Sequence, residues 1–204
     1  MSEVAPVRGY AKGRRKRLEI IEAATGLFGE VGYRAASLRE ISSRVGISHP
    51  GLLHHFPTKE TLLAAVLEHR DELDEVRLAE DRSEGVGFFA ALVQMVQRNQ
   101  SQPGMIELYA MLSIEATVPD HPAHAYFQQR YQSLIERISE ELARMVDDDR
   151  LPASTDVGAT ARSIVALMDG LQVQWLMDRD RPDERVDMAA ALRAHLWLLG
   201  RVEV

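Results

Sequence analysis

The sequence predicts an all-α fold in two parts: an N-terminal three-helix head carrying a helix-turn-helix, and a larger C-terminal helical body. Three observations carry that prediction. Apolar residues recur at three- and four-residue spacing along the chain, with short intervals and no strand-like alternation. Between Ser37 and Phe56 a capped helix, a glycine turn and a second capped helix fit in sequence. Charge is also split. Residues 1–59 hold ten Lys/Arg against five Glu, and the remainder holds fourteen Arg against twenty-six Asp/Glu, within a net charge of −7. A basic head on an acidic body suits a protein that turns one end to a polyanion, and the acidic remainder keeps DNA off its other faces.

Taken in order, residues 1–13 contain Pro6, Gly9 and Gly13 without periodicity and read as a disordered basic arm. Arg14 and Arg15 continue its charge run, which beside a helix-turn-helix suits phosphate contact or entry into the minor groove. Leu18 to Val31 reads as an amphipathic helix, with Phe28 and the following Tyr33 as core and Gly32 as its stop. Ser37 caps the next helix with Glu40 three residues on, the spacing of a capping box. Ile41 and Val45 share its inner face, and Gly46 ends it in a conformation that a Cβ would oppose. Ser48 caps the third helix and Pro50 lies in its first turn, where no N–H is missed. Leu52 and Phe56 look inward; His49, Gly51, Leu53, His54 and His55 lie on the other side.

Pro57 ends that helix, and Thr58 caps a fourth that runs to about Glu80 with Lys59 in its first turn. Its second half, with Glu68, Arg70, Asp71, Glu72, Asp74, Glu75 and Arg77, reads as a solvent-exposed connecting rod along which head and body hinge. The body follows as helices over Phe88 to about Gln100, Met105 to Thr117, Ala123 to Asp147, Thr155 to Arg179 and Asp183 to Gly200. The last two are apolar on more than one side. A surface helix buries only one stripe, so these two predict burial against a second copy.

The run from Arg14 to Leu63 resembles the N-terminal domain of the TetR family of bacterial transcriptional regulators. The residues that carry the likeness include Ile21, Ala24, Leu27, Phe28, Gly32, Tyr33, Leu38, Ile41, Val45, Gly46, Ile47, Leu52, His55, Phe56, Lys59, Glu60 and Leu62. Two positions depart from the commonest pattern: Pro50 stands where glycine is frequent and Leu53 where tyrosine is usual, so Leu53 is given no polar contact. The resemblance implies a head at 14–60 and a ligand-binding and dimerisation body at 61–204. It implies that His49, Pro50, Gly51 and His54 face bases and that His55 touches the DNA backbone. Helix N-termini aim amides at phosphate, so the Ser37 and Thr58 caps with Lys59 set position; Arg39 either reaches a phosphate or only solvates its helix, and Ser48 counts among the DNA-binding residues. The resemblance further implies a small-molecule effector, apolar or aromatic, in a pocket lined by Met105, Tyr109, Phe127, Met168, Gln172 and Trp175. The last two helices would form a homodimer interface, with Ala161, Val165, Leu192, Leu196 and Leu199 as its residues. The expected function is that of a sequence-specific, ligand-responsive repressor on a palindromic double-stranded operator, with half-sites roughly 34–36 Å apart or a multiple of that.

Other classes are weighed against the same residues. No cysteine is present, which removes disulfides, thiolate metal sites and thiol nucleophiles. No serine or histidine has a nucleophile setting, and GVGFF at 85–89 lacks a preceding strand, so neither enzyme nor nucleotide cofactor is expected. Asp120, His121 and His124 could suggest a metal, but Asp120 as a helix cap with Pro122 in the first turn accounts for them, and no metal is expected. No apolar run approaches 18 residues, so no membrane segment is expected and the default compartment is the cytoplasm. A small-molecule-binding or catalytic helical protein with a vestigial head is the alternative; the basic arm and intact helix caps weigh against it. A non-specific architectural DNA protein would be basic throughout.

Overall fold

The computed structural model describes residues 8–83 and 86–200, and all regular structure among them is helical. The helices are α1 (Arg8–Ala35), α2 (Leu38–Val45), α3 (His49–His55), α4 (Lys59–Ser83), α5 (Phe88–Gln100), α6 (Pro103–Glu115), α7 (His124–Asp147), α8 (Val157–Met177) and α9 (Met188–Gly200), with one 3-10 turn at Pro182–Glu184. The expected arm is partly corrected. Arg8 to Gly13 are helical, continuous with a segment where Lys16 and Arg15 both pair with Glu19 and support the first turns. Residues 1–7 lie outside the described residues.

Gly32 divides α1. Its φ of 79° and ψ of 160° break the helical path, so the last turn leaves at a kink, and the glycine stop expected there is real. Backbone groups freed by the kink find side chains from elsewhere. Tyr33 N–H donates to Glu115 Oε2 at 3.1 Å, and Lys59 Nζ donates to the carbonyls of Tyr33, Arg34 and Ala36 at 2.8, 3.2 and 2.9 Å. Tyr33 is buried edge-on between Phe28 and His121, and its hydroxyl donates to Glu60 Oε1 at 3.2 Å. One aromatic residue thus ties α1 to α4, to α6 and to the turn before α7.

Two apolar cores follow. The first joins Ile20, Ile21, Ala24, Leu27 and Phe28 of α1 to Ile41, Leu52, Phe56, Leu62 and Val66, and continues into Leu108, Leu112 and Phe127. The head is therefore not sealed at residue 60; α4, α6 and the start of α7 complete its core. The second lies within the body, around Val93, Ile138, Leu142, Ile164, Met188, Leu192 and Leu196. Along the seam between head and body, α1 packs closely on α6. A Cβ at Gly29 would lie 2.9 Å from both the Gly104 carbonyl oxygen and the Glu107 Cβ, so only glycine fits that approach.

Two expected caps differ in detail. Ser37 accepts from Arg39 N–H at 3.2 Å, but Glu40 does not return to close a capping box; it pairs with Arg44 at 3.0 Å. A guanidinium one turn on attracts the carboxylate more strongly than a neutral amide. Asp120 does not cap α7, whose N-cap is Ala123. The turn is closed instead by His121 Nδ1 accepting from Ala123 N–H at 3.2 Å, while His124 Nδ1 meets the Ala116 carbonyl at 2.7 Å. The two histidines are occupied as structural groups. No described helix is long and apolar enough to cross a membrane.

Candidate functional site: a DNA-reading surface and an internal cavity

The helix-turn-helix forms as the sequence spacing requires. Gly46 ends α2 in the left-handed conformation, with φ 68° and ψ 36°. Ser48 Oγ then accepts from Gly51 N–H at 3.1 Å and starts α3. Leu52 is fully buried and Phe56 nearly so, with the Arg17 guanidinium 4.9 Å above the Phe56 ring. These contacts fix the rotation of α3. Pro50 and His54 are exposed, and His49, Gly51, Leu53 and His55 half-buried. A Cβ at Gly51 would meet only Ser48 Oγ at 3.1 Å and Ile47 Cβ at 4.0 Å. No second helix crowds it, which leaves space on the outward side for a groove to approach. His54 and His55 stack edge to face at 5.7 Å. Burial, with His54, Arg17 and Lys16 nearby, pushes the His55 imidazole below its ordinary value.

The residues expected on phosphates divide. Arg39 is exposed and makes no ion pair among the described residues, while Arg15 is exposed and lies 3.5 Å from Glu19. Arg14 is also exposed. Ser37 and Ser48 are engaged as caps, and both are exposed. Lys59 departs from its expected role: its ammonium holds three carbonyls at the end of α1 and sits 4.5 Å over the Tyr33 ring. The kink leaves these carbonyls without helical partners, and a lysine at the start of α4 reaches all three. Arg44 is likewise occupied, bidentate on Glu30 at 2.8 and 2.7 Å.

A cavity of about 500 Å³ lies in the body between α4, α5, α6, α7, α8 and α9, within the usual range for small-molecule sites. Met105, Tyr109, Phe127, Met168 and Gln172 line it as expected. Trp175 does not. It is buried in the body core with the Arg185 guanidinium 4.3 Å over its ring; it shares a face of α8 with Met168 but lies two turns further along the helix.

The larger correction concerns α4. The stretch expected as a solvent-exposed rod supplies Arg70, Asp71, Asp74, Arg77 and Asp81 to the cavity wall, and Arg70 is only 2% exposed. Partners across the cavity account for this burial. Arg130 from α7 reaches Asp71 at 3.1 Å and Asp74 at 3.9 Å, and Arg98 from α5 reaches Asp81 at 3.0 Å. Tyr109 and Tyr126 join hydroxyls at 2.9 Å, and Tyr126 donates to Asp71 at 2.9 Å. Burial pushes the Tyr131 hydroxyl up to about 12; it donates to Asp169 at 2.8 Å, and burial raises the Asp169 carboxyl in turn. The expectation of an apolar or aromatic effector did not anticipate this many polar groups on the wall. Periodicity alone could not reveal them, because charged residues on α4 look solvated until α7 is placed beside them.

The residues expected at the dimer interface are also relocated. Ala161, Val165, Leu192 and Leu196 lie in the protomer's own core, and Leu199 packs at its edge. The large apolar groups that α8 and α9 expose are Val173, Met177, Trp197 and Leu198, with Met177, Trp197 and Leu198 at 74, 58 and 75% exposure. Both helices are two-sided, as read, but the inward side holds the protomer together and the other remains uncovered.

Residues 20–66 match the family described as bacterial regulatory proteins, tetR family, and residues 88–200 match the C-terminal domain of BetI-type transcriptional repressors. The HTH-type transcriptional repressor AcnR of Corynebacterium efficiens is 29% identical over 159 residues, spanning 76% of this chain and 78% of the relative. Among solved structures, Salmonella enterica GusR superposes with a TM-score of 0.67 at 24% identity, over 92% of this chain and 96% of that one. A gamma-butyrolactone receptor, an ArpA-like protein, superposes with a TM-score of 0.62 at 20% identity, over 90% and 99%. These two structural likenesses bear on the fold.

Proposed function

The chain belongs to the TetR family of bacterial regulatory proteins, and on that premise we propose that it binds a palindromic operator as a homodimer and releases it when a small molecule fills the body cavity. It is a DNA-binding transcriptional regulator with a repressor's architecture. The observation that carries the proposal is the presentation of α3: anchored by Leu52 and Phe56, capped by Ser48, with Pro50 and His54 turned outward. Residues in the first turns of such a helix read base edges, and Arg39 with the Arg14–Arg15 segment supplies backbone charge. A single head reads too few base pairs for specificity, so two copies are needed. Val173, Met177, Trp197 and Leu198 offer the uncovered apolar area for a four-helix contact between protomers.

Release is a shift between two body conformations. An effector that fits only one of them moves the equilibrium by its differential affinity. Because α4 forms both a cavity wall and part of the head core, the two sites share one element. Fluorescence anisotropy with palindromes from the DNA upstream of its own reading frame tests the function. Binding should survive excess non-specific duplex and should show two protomers per site. Equal displacement by any duplex would overturn it. His49→Ala and His54→Ala should relax sequence preference more than they lower total affinity.

A further inference from the structure

The cavity wall is not electrically even. Five arginines and four aspartates line it. Asp71, Asp74 and Asp81 already have the arginine partners Arg130, Arg70 and Arg98. Asp169 is the fourth carboxyl, and burial drives it toward its neutral acid while Tyr131 donates to it. A cationic excess is left on the wall.

Among the buried arginine nitrogens of the wall without a hydrogen-bond partner, two belong to Arg70 and one to Arg98. The Arg70 side chain is 3% exposed, and only Nη2 is engaged, donating to Asn99 Oδ1 at 3.0 Å. Asp74 Oδ1 lies 3.1 Å from the same Nη2 but without hydrogen-bond alignment, and Arg70 Nε and Nη1 have no acceptor. A guanidinium has five N–H donors and no way to discharge, so burying it with two nitrogens unpaired is costly. Arg130 converges on the same place: its guanidinium lies 4.7 Å from the Tyr109 ring centre, and that of Arg70 lies 5.9 Å from it. Phe88, Leu92, Met95, Met168 and Leu192 supply a hydrocarbon part of the wall.

We propose that the cavity takes an amphiphilic organic acid, its carboxylate accepting from Arg70 and its hydrocarbon portion lying on Phe88, Leu92, Met95, Met168 and Leu192. This rests on the cavity being the effector site. A carboxylate arriving at Arg70 replaces the Asn99 amide oxygen at Nη2, or draws the guanidinium round so that Nε or Nη1 faces it. It thereby exchanges a neutral acceptor for a charged one. The five apolar groups come from α5, α8 and α9, so the two ends of the ligand contact different helices.

Isothermal titration calorimetry on the full chain tests this with octanoate and decanoate as acids, decan-1-ol as the neutral match and decylamine as the cationic one. The acids should bind more tightly than the alcohol. R70Q should weaken the acids at least tenfold and leave the alcohol unchanged, and D169N should keep acid binding. N99D, which gives Arg70 an internal carboxylate, should also abolish acid binding and serves if R70Q does not fold. Stronger binding of decylamine than of decanoate, undiminished acid binding by R70Q or N99D, or failure of both acids to bind would each overturn the assignment. Operator release is read separately: an acid that binds through Arg70 yet leaves the operator occupied upholds the ligand class and counts against the effector reading.

Discussion

Lys59→Ala separates two roles that lysine at this position could have. In the structure its ammonium holds three carbonyls at the kinked end of α1, at 2.8, 3.2 and 2.9 Å, and lies over the Tyr33 ring. A hydrogen bond from a charged group contributes about 1.5–3 kcal/mol net, but one ammonium shared among three half-exposed acceptors is worth less than three such bonds, so a loss of about 3 kcal/mol is expected. For a chain of this size that corresponds to a fall in Tm of roughly 6–12 °C. The assay is a urea or thermal melt of the variant, run beside operator titrations at several salt concentrations. If the lysine acts within the fold, the melt moves and the salt dependence of operator affinity does not. If the Tm stays within a degree of wild type while the log–log salt slope falls by about 0.9, the lysine neutralises a phosphate and the reasoning is refuted.

Further outcomes follow from other contacts. Gly32→Ala places a β-carbon at φ 79°, ψ 160° and 2.5 Å from Glu115 Oε1, a region occupied essentially only by glycine; the cost should be about 2 kcal/mol or more by urea denaturation, and a neutral result would refute the kink. His55 should titrate below 6.5 by NMR in free protein, because burial and then His54, Arg17 and Lys16 disfavour its cation. If phosphate favours that cation, operator affinity rises as pH falls through the window between the bound and free values, whose acid end lies below 6.5; a flat profile from pH 5 to 8 would remove His55 from the backbone contact. Trp197→Glu, at a side chain 58% exposed on α9, should turn dimers into folded monomers by sedimentation velocity and abolish operator binding, and an unchanged dimer would place the interface elsewhere.

The head was legible because its signals are local. A cap, a glycine and the i, i+4 pairs Ile41–Val45 and Leu52–Phe56 each act within a few residues, and each recurs in the structure. Body helices were placed to within a few residues for the same reason. What periodicity could not supply was the identity of the neighbour. Asp71 and Arg70 look solvated in the sequence, yet Arg130, some sixty residues on, turns Asp71 into a cavity wall. Ala161, Val165, Leu192 and Leu196 were rightly read as buried, but burial inside one protomer and burial between two leave the same apolar pattern. The acceptors of Lys59 could not be seen in the sequence, because they come together only once Gly32 has kinked α1.

The close seam at Gly29, where α1 lies against Gly104, Glu107 and Leu108 of α6, has a geometric consequence. The head is fastened to the body along this seam, through Tyr33 to Glu115 and His121, and through the unbroken run of α4. A part held along a line of contacts cannot swivel freely about its stalk. Under the proposed mechanism a displacement of α4 reaches the reading helix against the brace that α6 provides.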